Sequence, residues 1–238
     1  MTKDNGDFIT VIRLSRENFK LPALRVVAID GSFHQVFLPG GKISYIVVAS
    51  VRATINGEKF SVDAIDVKDE ICECESPEEE MRRLEYDVAN TYEYDLILMD
   101  RLFSMDREKG LKIPKNSIGI VKDFDILLRN ELDKIQEAPW IAVKDEKIGY
   151  FKLLDQGYVF LINKEVQMSW DDILKVLVIL GYEPIPEALG YNYLLYLADK
   201  AAKYYRDIAS LTLDTIRSQN FIRYRDFRSF VERIRRNK

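Results

Sequence analysis

The most constraining feature of the sequence is an apolar run, residues 26–29, that leads directly into a carboxylate, Asp30. β-Branched residues in such a run are typical of a buried strand. A carboxylate at the mouth of a buried strand is costly unless a divalent cation, a basic side chain or backbone N–H groups compensate it. Gly31 and Ser32 follow and predict a turn, after which residues 43–51 return as another strand. An Asp-Gly pair between apolar runs is also an ordinary turn signal, so this stretch alone leaves the metal interpretation open.

A second run of the same design favours the metal interpretation. Residues 96–99 are apolar and lead into Asp100. If the two strands are neighbours in one sheet, Asp30 and Asp100 lie at the same end of that sheet. Carboxylate oxygens are ligands that suit Mg²⁺ or Mn²⁺. We therefore expect acids that are far apart in the chain to converge on one cation-binding pocket.

Cysteine and histidine are too scarce for several other catalytic centres. The chain has two cysteines, Cys72 and Cys74, and one histidine, His34, which cannot complete a soft-metal site and argue against a zinc hydrolase. A Ser-His-Asp triad is excluded unless His34 carries it. The spacing of the cysteines is poor for a mutual disulfide, and their alternation with glutamate predicts a strand end with one face inward. A lone histidine is usually structural, so no role is assigned to His34.

The order of the predicted elements indicates a mixed α/β sheet. Residues 39–41 and the Asn56-Gly57 pair separate apolar runs and predict an antiparallel meander, and Ser76 and Pro77 then begin a helix that extends to about residue 93. The other predicted elements are a lead-in strand or short helix at 8–14, strands at 96–100, 118–121, 140–143, 149–154 and 158–163, and helices at 125–135, 169–180 and 194–216. A meander followed by parallel strands, flanked by helices and with a helical C-terminal part, is the ribonuclease H-like arrangement, which by itself does not define a function.

The charge is distributed unevenly along the chain. The net charge is −4, but residues 217–238 hold eight basic and two acidic residues, which makes this segment +6 and the remainder −10. We therefore divide the chain into a domain, 1–216, and a basic aromatic tail, 217–238. Aromatic residues interleave with the arginines at roughly helical spacing, which suits a segment that follows a DNA phosphate backbone or, equally, a solvated helix with an apolar stripe. The candidate DNA contacts are Arg217, Arg223, Arg225 and Arg228.

No apolar run approaches the roughly 18 residues of a membrane span. The first residues lack the apolar core of a signal peptide. We therefore expect a cytoplasmic protein with no membrane partner.

Five motifs, taken in order, resemble those of the NurA nucleases. The first is Asp30-Gly31-Ser32, the second is Arg82 with Glu85 in a predicted helix, and the third is the run that ends at Asp100. The fourth is the segment 118–122. The fifth lies within residues 190–199, where Tyr191 and Asp199 keep the family's spacing of a tyrosine and, eight residues later, a histidine or aspartate. The resemblance covers about residues 24–205.

The resemblance implies a 5′→3′ DNA exonuclease that also cuts single strands internally and depends on Mn²⁺ or Mg²⁺, with two bound ions expected. It implies a homodimer that works with the hexameric DNA translocase HerA in archaeal end resection and repair. The implied metal ligands are Asp30, Glu85, Asp100 and Asp199. Tyr191 would shape or polarise the site, and Lys122 is a candidate contact to the scissile phosphate.

Structural alternatives remain open for these residues, and the chain departs from the family pattern. Glu85 could be a solvated helix acid, Tyr191 a core residue, Lys122 a strand-end charge, and Asp199 a surface partner of Lys203. The family commonly has Asp-Gly-Ser-Leu where this chain has residues 100–103, Asp-Arg-Leu-Phe, and many members have histidine at position 199. The first departure favours a degenerate, non-catalytic subunit that binds DNA or a translocase. A third reading is a ribonuclease H-like enzyme that acts on RNA–DNA hybrids.

Overall fold

The computed structural model describes residues 10–14, 21–38, 41–183, 185 and 189–236. In these residues nine strands form one mixed sheet in the order β1-β7-β8-β9-β6-β5-β2-β3-β4, flanked by helices. The strands are β1 (Thr10–Arg13), β2 (Leu24–Leu38), β3 (Gly41–Asn56), β4 (Lys59–Cys72), β5 (Leu96–Met99), β6 (Ser117–Val121), β7 (Trp140–Val143), β8 (Ile148–Lys152) and β9 (Phe160–Lys164). The helices are α1 (Pro77–Ala89), α2 (Phe103–Glu108), α3 (Ile126–Leu132), α4 (Trp170–Gly181) and α5 (Tyr193–Arg236).

The sheet combines an antiparallel meander with parallel strands, as predicted. The chain turns between β3 and β4 at the predicted Asn56-Gly57 pair, where Asn56 pairs with Lys59. It then crosses the sheet through α1, and β5 and β6 run parallel to β2. Parallel strands need a long crossover connection such as this helix, because a short turn joins only antiparallel strands. The predicted fold class is therefore confirmed.

The predicted turn at Gly31-Ser32 is wrong, because β2 continues through both residues. Residues 30–38 stay paired with β3 as far as Leu38 opposite Gly41. What ends at this point is the parallel neighbour β5, whose last residue, Met99, pairs with Ile29. Asp30 therefore lies just beyond the paired end of β5, whereas its own strand, β2, continues to Leu38.

The two faces of β2 pack against different helices because successive side chains point to opposite sides of a strand. Val26 and Ala28 belong to a core that contains α4 and the first turns of α5. Val27 and Ile29 belong to a second core formed with α1. All four side chains are fully buried, which explains why the run is apolar on both faces.

Helix α5 is a single element that passes through position 216 without a break. Its middle part packs on the meander, where Ala202 lies against Tyr45, Val47 and Ala49. Arg217 lies exposed on this helix. The side chains of Arg223, Arg225 and Arg228 lie outside the described part of the structure. Among the helices that are described, none is long and apolar enough to cross a lipid bilayer.

Three local predictions differ from the structure. Helix α1 ends at Ala89 rather than near residue 93, and the Asn90 side chain donates to the Tyr86 carbonyl at 2.8 Å at that end. Helix α2 was not predicted, because six residues are too few for a helical period to be recognised. Cys72 and Cys74 form a disulfide, contrary to the prediction. β4 ends at Cys72, so Cys74 lies outside the strand and the two Cα atoms are 5.3 Å apart. Two residues at the same spacing within a strand would have Cα atoms about 6.6 Å apart.

Candidate active site

Asp30 and Asp100 lie side by side where β5 ends. Ile29 and Met99 are paired in the parallel register of β2 and β5, and each aspartate is the next residue in its chain segment. Neighbouring strands are about 4.8 Å apart, so the backbones place the two aspartates next to each other, and the Asp100 charge acts on Asp30. This is the carboxyl end of the parallel strands, where open α/β sheets commonly bind their ligands.

Glu85 and Asp199 bring two further carboxylates to the same place. Burial raises the pKa of Asp30 well above its usual value, and the charges of Glu85, Asp100 and Asp199 raise it further. Charges act in this way only at short range. Glu85, Asp100 and Asp199 therefore all lie near Asp30, as the sequence predicted.

Gly31 makes room for Glu85. Because Asp30 shares its face of β2 with Ala28, the next residue, Gly31, faces α1 on the other side. A Cβ atom at position 31 would lie 2.5 Å from Glu85 Oε1 and 2.8 Å from the Cγ atom of Met81. The absence of a side chain at Gly31 therefore allows α1 to pack closely against β2. The glycine does not form the turn that its sequence context predicted.

Glu85 is a buried carboxylate with one paired and one unpaired oxygen. Its side chain is 2% exposed, which excludes the alternative of a solvated helix acid. Oε2 accepts a hydrogen bond from Arg101 Nε at 2.5 Å, whereas Oε1 has no hydrogen-bond partner among the described residues. Burial raises the pKa of Glu85, and the Arg101 charge opposes that rise. Burial would lower the pKa of Arg101, but the Glu85 charge outweighs it and the pKa is raised, so Arg101 stays cationic.

One oxygen of Asp100 is held by two donors. The Tyr191 hydroxyl donates to Asp100 Oδ2 at 3.1 Å, and Lys122 Nζ lies 2.9 Å from the same oxygen. Lys122 Nζ also lies 4.2 Å from the centre of the Tyr191 ring. Burial, followed by the charges of Asp100 and Asp30, raises the pKa of Tyr191 well above its usual value, so its hydroxyl keeps the proton that it donates.

Tyr191 and Asp199 each have a structural contact and also take part in the acidic site. Tyr191 is buried in the core and packs against Phe160, with 5.5 Å between the ring centres, yet its hydroxyl reaches Asp100. Asp199 Oδ1 lies 2.7 Å from Lys203 Nζ, the predicted i,i+4 pair, yet its charge acts on Asp30. A packing or pairing role therefore does not remove either residue from the site.

Asn163 is a structural support of the site that the sequence did not reveal. It is 5% exposed on β9, and its Nδ2 donates to the carbonyl oxygens of Arg101 and Gly119, each at 3.1 Å. Its Oδ1 accepts from the Phe103 N–H at 2.9 Å. These bonds fix the chain just after Asp100. All three partners are backbone groups distant in sequence, so no sequence pattern could have identified this asparagine.

The oxygen donors fit a hard divalent cation, although they are not already arranged around one. Among the described residues, no group of three or more His, Cys, Asp or Glu side chains has the geometry to hold a metal ion. Arg101, Lys122 and Lys203 are each paired with one of the carboxylates. The buried Glu85 Oε1, which lacks a partner, and the all-carboxylate donor set are what favour Mg²⁺ or Mn²⁺.

Two polar contacts continue from the site along β2 and α5. Arg206 Nη1 donates to Ser32 Oγ at 3.0 Å. His34 Nε2 lies 3.7 Å from Asp214 Oδ1. Both lie between β2 and α5 beyond the acidic cluster. His34 Nε2 has no hydrogen-bond partner among the described residues, and no catalytic role is assigned to it.

Comparisons with solved structures show that this fold is similar to folds found in nucleases. Neither a family model nor a curated protein matches the sequence. The NurA nuclease from Sulfolobus solfataricus is similar in fold, with a TM-score of 0.56, 14% identity, and 89% of this chain and 88% of that chain covered. The catalytic domain of human Endonuclease V follows with a TM-score of 0.50, 13% identity, and 85% and 92% covered. Endonuclease V from Bacillus subtilis has a TM-score of 0.50, 11% identity, and 79% and 83% covered. The resemblance to NurA seen in the motifs is thus confirmed at the level of fold.

Proposed function

We propose that the protein is a divalent-cation-dependent DNA nuclease that hydrolyses phosphodiester bonds beside Asp30 of β2, at the carboxyl end of β5. One observation carries the proposal. Asp30 and Asp100 follow paired residues of neighbouring strands, and the charges of Glu85, Asp100 and Asp199, which come from three other segments, act on Asp30. Such a cluster of acids lowers stability unless a cation binds there, and the likeness to nuclease folds supports this use of the cluster.

The four carboxylates would hold Mn²⁺ or Mg²⁺. When bound, such an ion acts as a Lewis acid on the phosphate and lowers the pKa of a bound water. In the reaction a water oxygen bonds to phosphorus, the bond from phosphorus to the 3′ oxygen breaks, and the departing oxygen receives a proton. The products are a 5′-phosphate and a 3′-hydroxyl.

Two side chains of the site have roles that do not depend on the ion. Lys122 is 42% exposed, so its ammonium group can contact a substrate phosphate while it remains beside Asp100. Tyr191 donates to Asp100 and holds one of its oxygens in place. Asn163 acts further back, as a positioning residue for the segment that follows Asp100.

The finer proposal follows from the motifs. We propose 5′→3′ exonuclease activity with internal cutting of single strands, in DNA end resection with a HerA-type translocase, by a cytoplasmic homodimer. Arg217, Arg223, Arg225 and Arg228 would contact the DNA phosphates. The order and spacing of the NurA-like motifs and the shared fold support this assignment.

One observation favours the alternative of a degenerate, DNA-binding subunit. Arg101, which stands where the family motif commonly has glycine, is paired with Glu85. In a degenerate subunit, the side chains of Arg101, Lys122 and Lys203 would neutralise the carboxylates, and no metal ion would bind. Saturable Mn²⁺ binding at the acidic cluster would contradict this alternative, and its absence would favour it.

The direct test is cleavage of end-labelled single- and double-stranded DNA in Mn²⁺, with EDTA as the blank. We expect Asp30→Asn and Asp100→Asn to lose several kcal/mol of transition-state stabilisation, which is about 100- to 1,000-fold in rate. Asp95→Asn is the matched control, because Asp95 directly precedes β5 at its opposite end and is largely exposed. Cleavage at the wild-type rate by both site variants would refute the proposal.

A further inference from the structure

We propose that Arg101 serves as the second cation of the acidic centre, so that the site binds one divalent ion and not two. Glu85 would contact that ion through Oε1. The inference rests on the proposed function and concerns the number of ions that the site holds. It replaces the expectation of two ions that the family resemblance implies.

The two carboxylate oxygens of Glu85 have different neighbours. Oε2 accepts from Arg101 Nε at 2.5 Å. Oε1 lies against Gly31, the neighbour of Asp30, and has no hydrogen-bond partner among the described residues. A buried carboxylate oxygen without a partner is unfavourable. A cation shared with Asp30 would satisfy Oε1, whereas at Oε2 the Arg101 guanidinium occupies one lone-pair site and its positive charge opposes the approach of a second ion.

Arg101 is built into this position. Its side chain is 15% exposed, and Asn163 fixes its carbonyl oxygen and the following Phe103 N–H. Asp106, which is 3% exposed, adds a second negative charge that acts on Arg101. Removing Arg101 from Glu85 would leave a buried carboxylate uncompensated. The ion pair with Glu85 therefore holds the guanidinium in the centre.

The charges of the site agree with one divalent ion. The carboxylates of Asp30, Glu85, Asp100 and Asp199 supply four negative charges. Arg101, Lys122 and Lys203, each paired with one of these acids, supply three positive charges. One divalent ion together with one bound phosphodiester brings the total to zero. A second ion would leave two uncompensated positive charges in a partly buried site, which is costly.

The test is the stoichiometry of Mn²⁺ binding to the full chain, measured by calorimetric titration and by electron paramagnetic resonance, which detects spin coupling between two neighbouring Mn²⁺ ions. We expect one Mn²⁺ per chain in the wild type, with no coupled pair. Arg101→Met removes the charge but keeps a long apolar side chain, and we expect it to bind two Mn²⁺ ions with a coupled spectrum. Arg107→Met is the control, because Arg107 lies six residues after Arg101, on α2, and pairs with Glu165 rather than with an acid of the site. It should bind one Mn²⁺ ion.

Two coupled Mn²⁺ ions in the wild type would overturn the inference, and this measurement does not depend on whether Arg101→Met folds. A folded Arg101→Met variant that still binds one ion would overturn it as well. Cleavage is measured on the same preparations, so the two proposals can be told apart. Two ions with Mn²⁺-dependent cleavage refute the single-ion inference alone, whereas no Mn²⁺ binding and no cleavage refute both.

Discussion

Replacing Asp30 with asparagine should make the metal-free protein more stable. The pKa of Asp30 is raised in the folded state by burial and by the charges of Glu85, Asp100 and Asp199. The folded state therefore binds the Asp30 proton more tightly than the unfolded state does. Consequently the free energy of unfolding falls as the pH rises from the unfolded pKa through the folded pKa. At neutral pH, Asp30→Asn removes this penalty.

The size of the effect follows from the strand geometry. Two unit charges about 5 Å apart on neighbouring strands repel by about 3 kcal/mol at an effective dielectric constant of about 20. Lys122 offsets part of the Asp100 charge, and Lys203 offsets part of the Asp199 charge. We therefore expect a net gain of about 1–2 kcal/mol, which corresponds to a Tm increase of about 3–6 °C for a chain of this length.

Calorimetry in EDTA at several pH values measures this gain. It should be largest at neutral pH and should shrink as the pH is lowered and wild-type Asp30 takes up its proton. Added Mn²⁺ should reverse the order, because an ion that binds the folded wild type stabilises it by mass action. Asp95→Asn, with an exposed carboxylate, should show neither effect. A variant Asp30→Asn that melts below the wild type in EDTA at neutral pH would refute the electrostatic reasoning.

Four other changes probe the same arrangement. Tyr191→Phe should reduce Mn²⁺-dependent cleavage by about 5- to 10-fold, because it loses one hydrogen bond of about 1 kcal/mol to Asp100; an unchanged rate would contradict the role of the hydroxyl. Asn163→Ala should lower the free energy of unfolding by about 2–4 kcal/mol in a denaturant titration, because three backbone groups lose their partner; a loss below about 0.5 kcal/mol would show that they find others. Gly31→Ala should weaken Mn²⁺ binding in a calorimetric titration, because its Cβ displaces Glu85 and Met81; wild-type affinity would contradict the close approach. Deleting residues 217–238 should weaken DNA binding and flatten its dependence on salt concentration, because fewer phosphate contacts release fewer counterions; an unchanged slope would assign the tail to packing or dimerisation.

The sequence predicted the parts of the site that have a local cause. Asp30 and Asp100 each follow an apolar run, and that pattern depends only on burial of the strand. The Asn56-Gly57 hairpin and the start of α1 at Ser76 and Pro77 also follow from residues that are adjacent in sequence. They led us to expect the acids to converge on condition that the two strands are neighbours, and the register of β2 and β5 meets that condition.

The parts that failed depend on contacts between distant segments. Gly31 carries the same local signal whether the chain turns or, as here, makes room for Glu85 from another element. The departure at Arg101 was visible in the sequence, but its pairing with Glu85, 16 positions earlier, became clear only from the packing of α1. Asn163 supports the site through backbone groups alone, and such contacts leave no pattern in the order of side chains.

The most direct test of the central claim is anomalous X-ray diffraction from a crystal soaked in Mn²⁺. The account predicts a single peak within about 2.0–2.6 Å of carboxylate oxygens of Asp30 and Asp100, and loss of that peak in Asp100→Asn. Protein that cleaves DNA in Mn²⁺ but shows no peak near these two residues, or shows its peak elsewhere, would contradict the account.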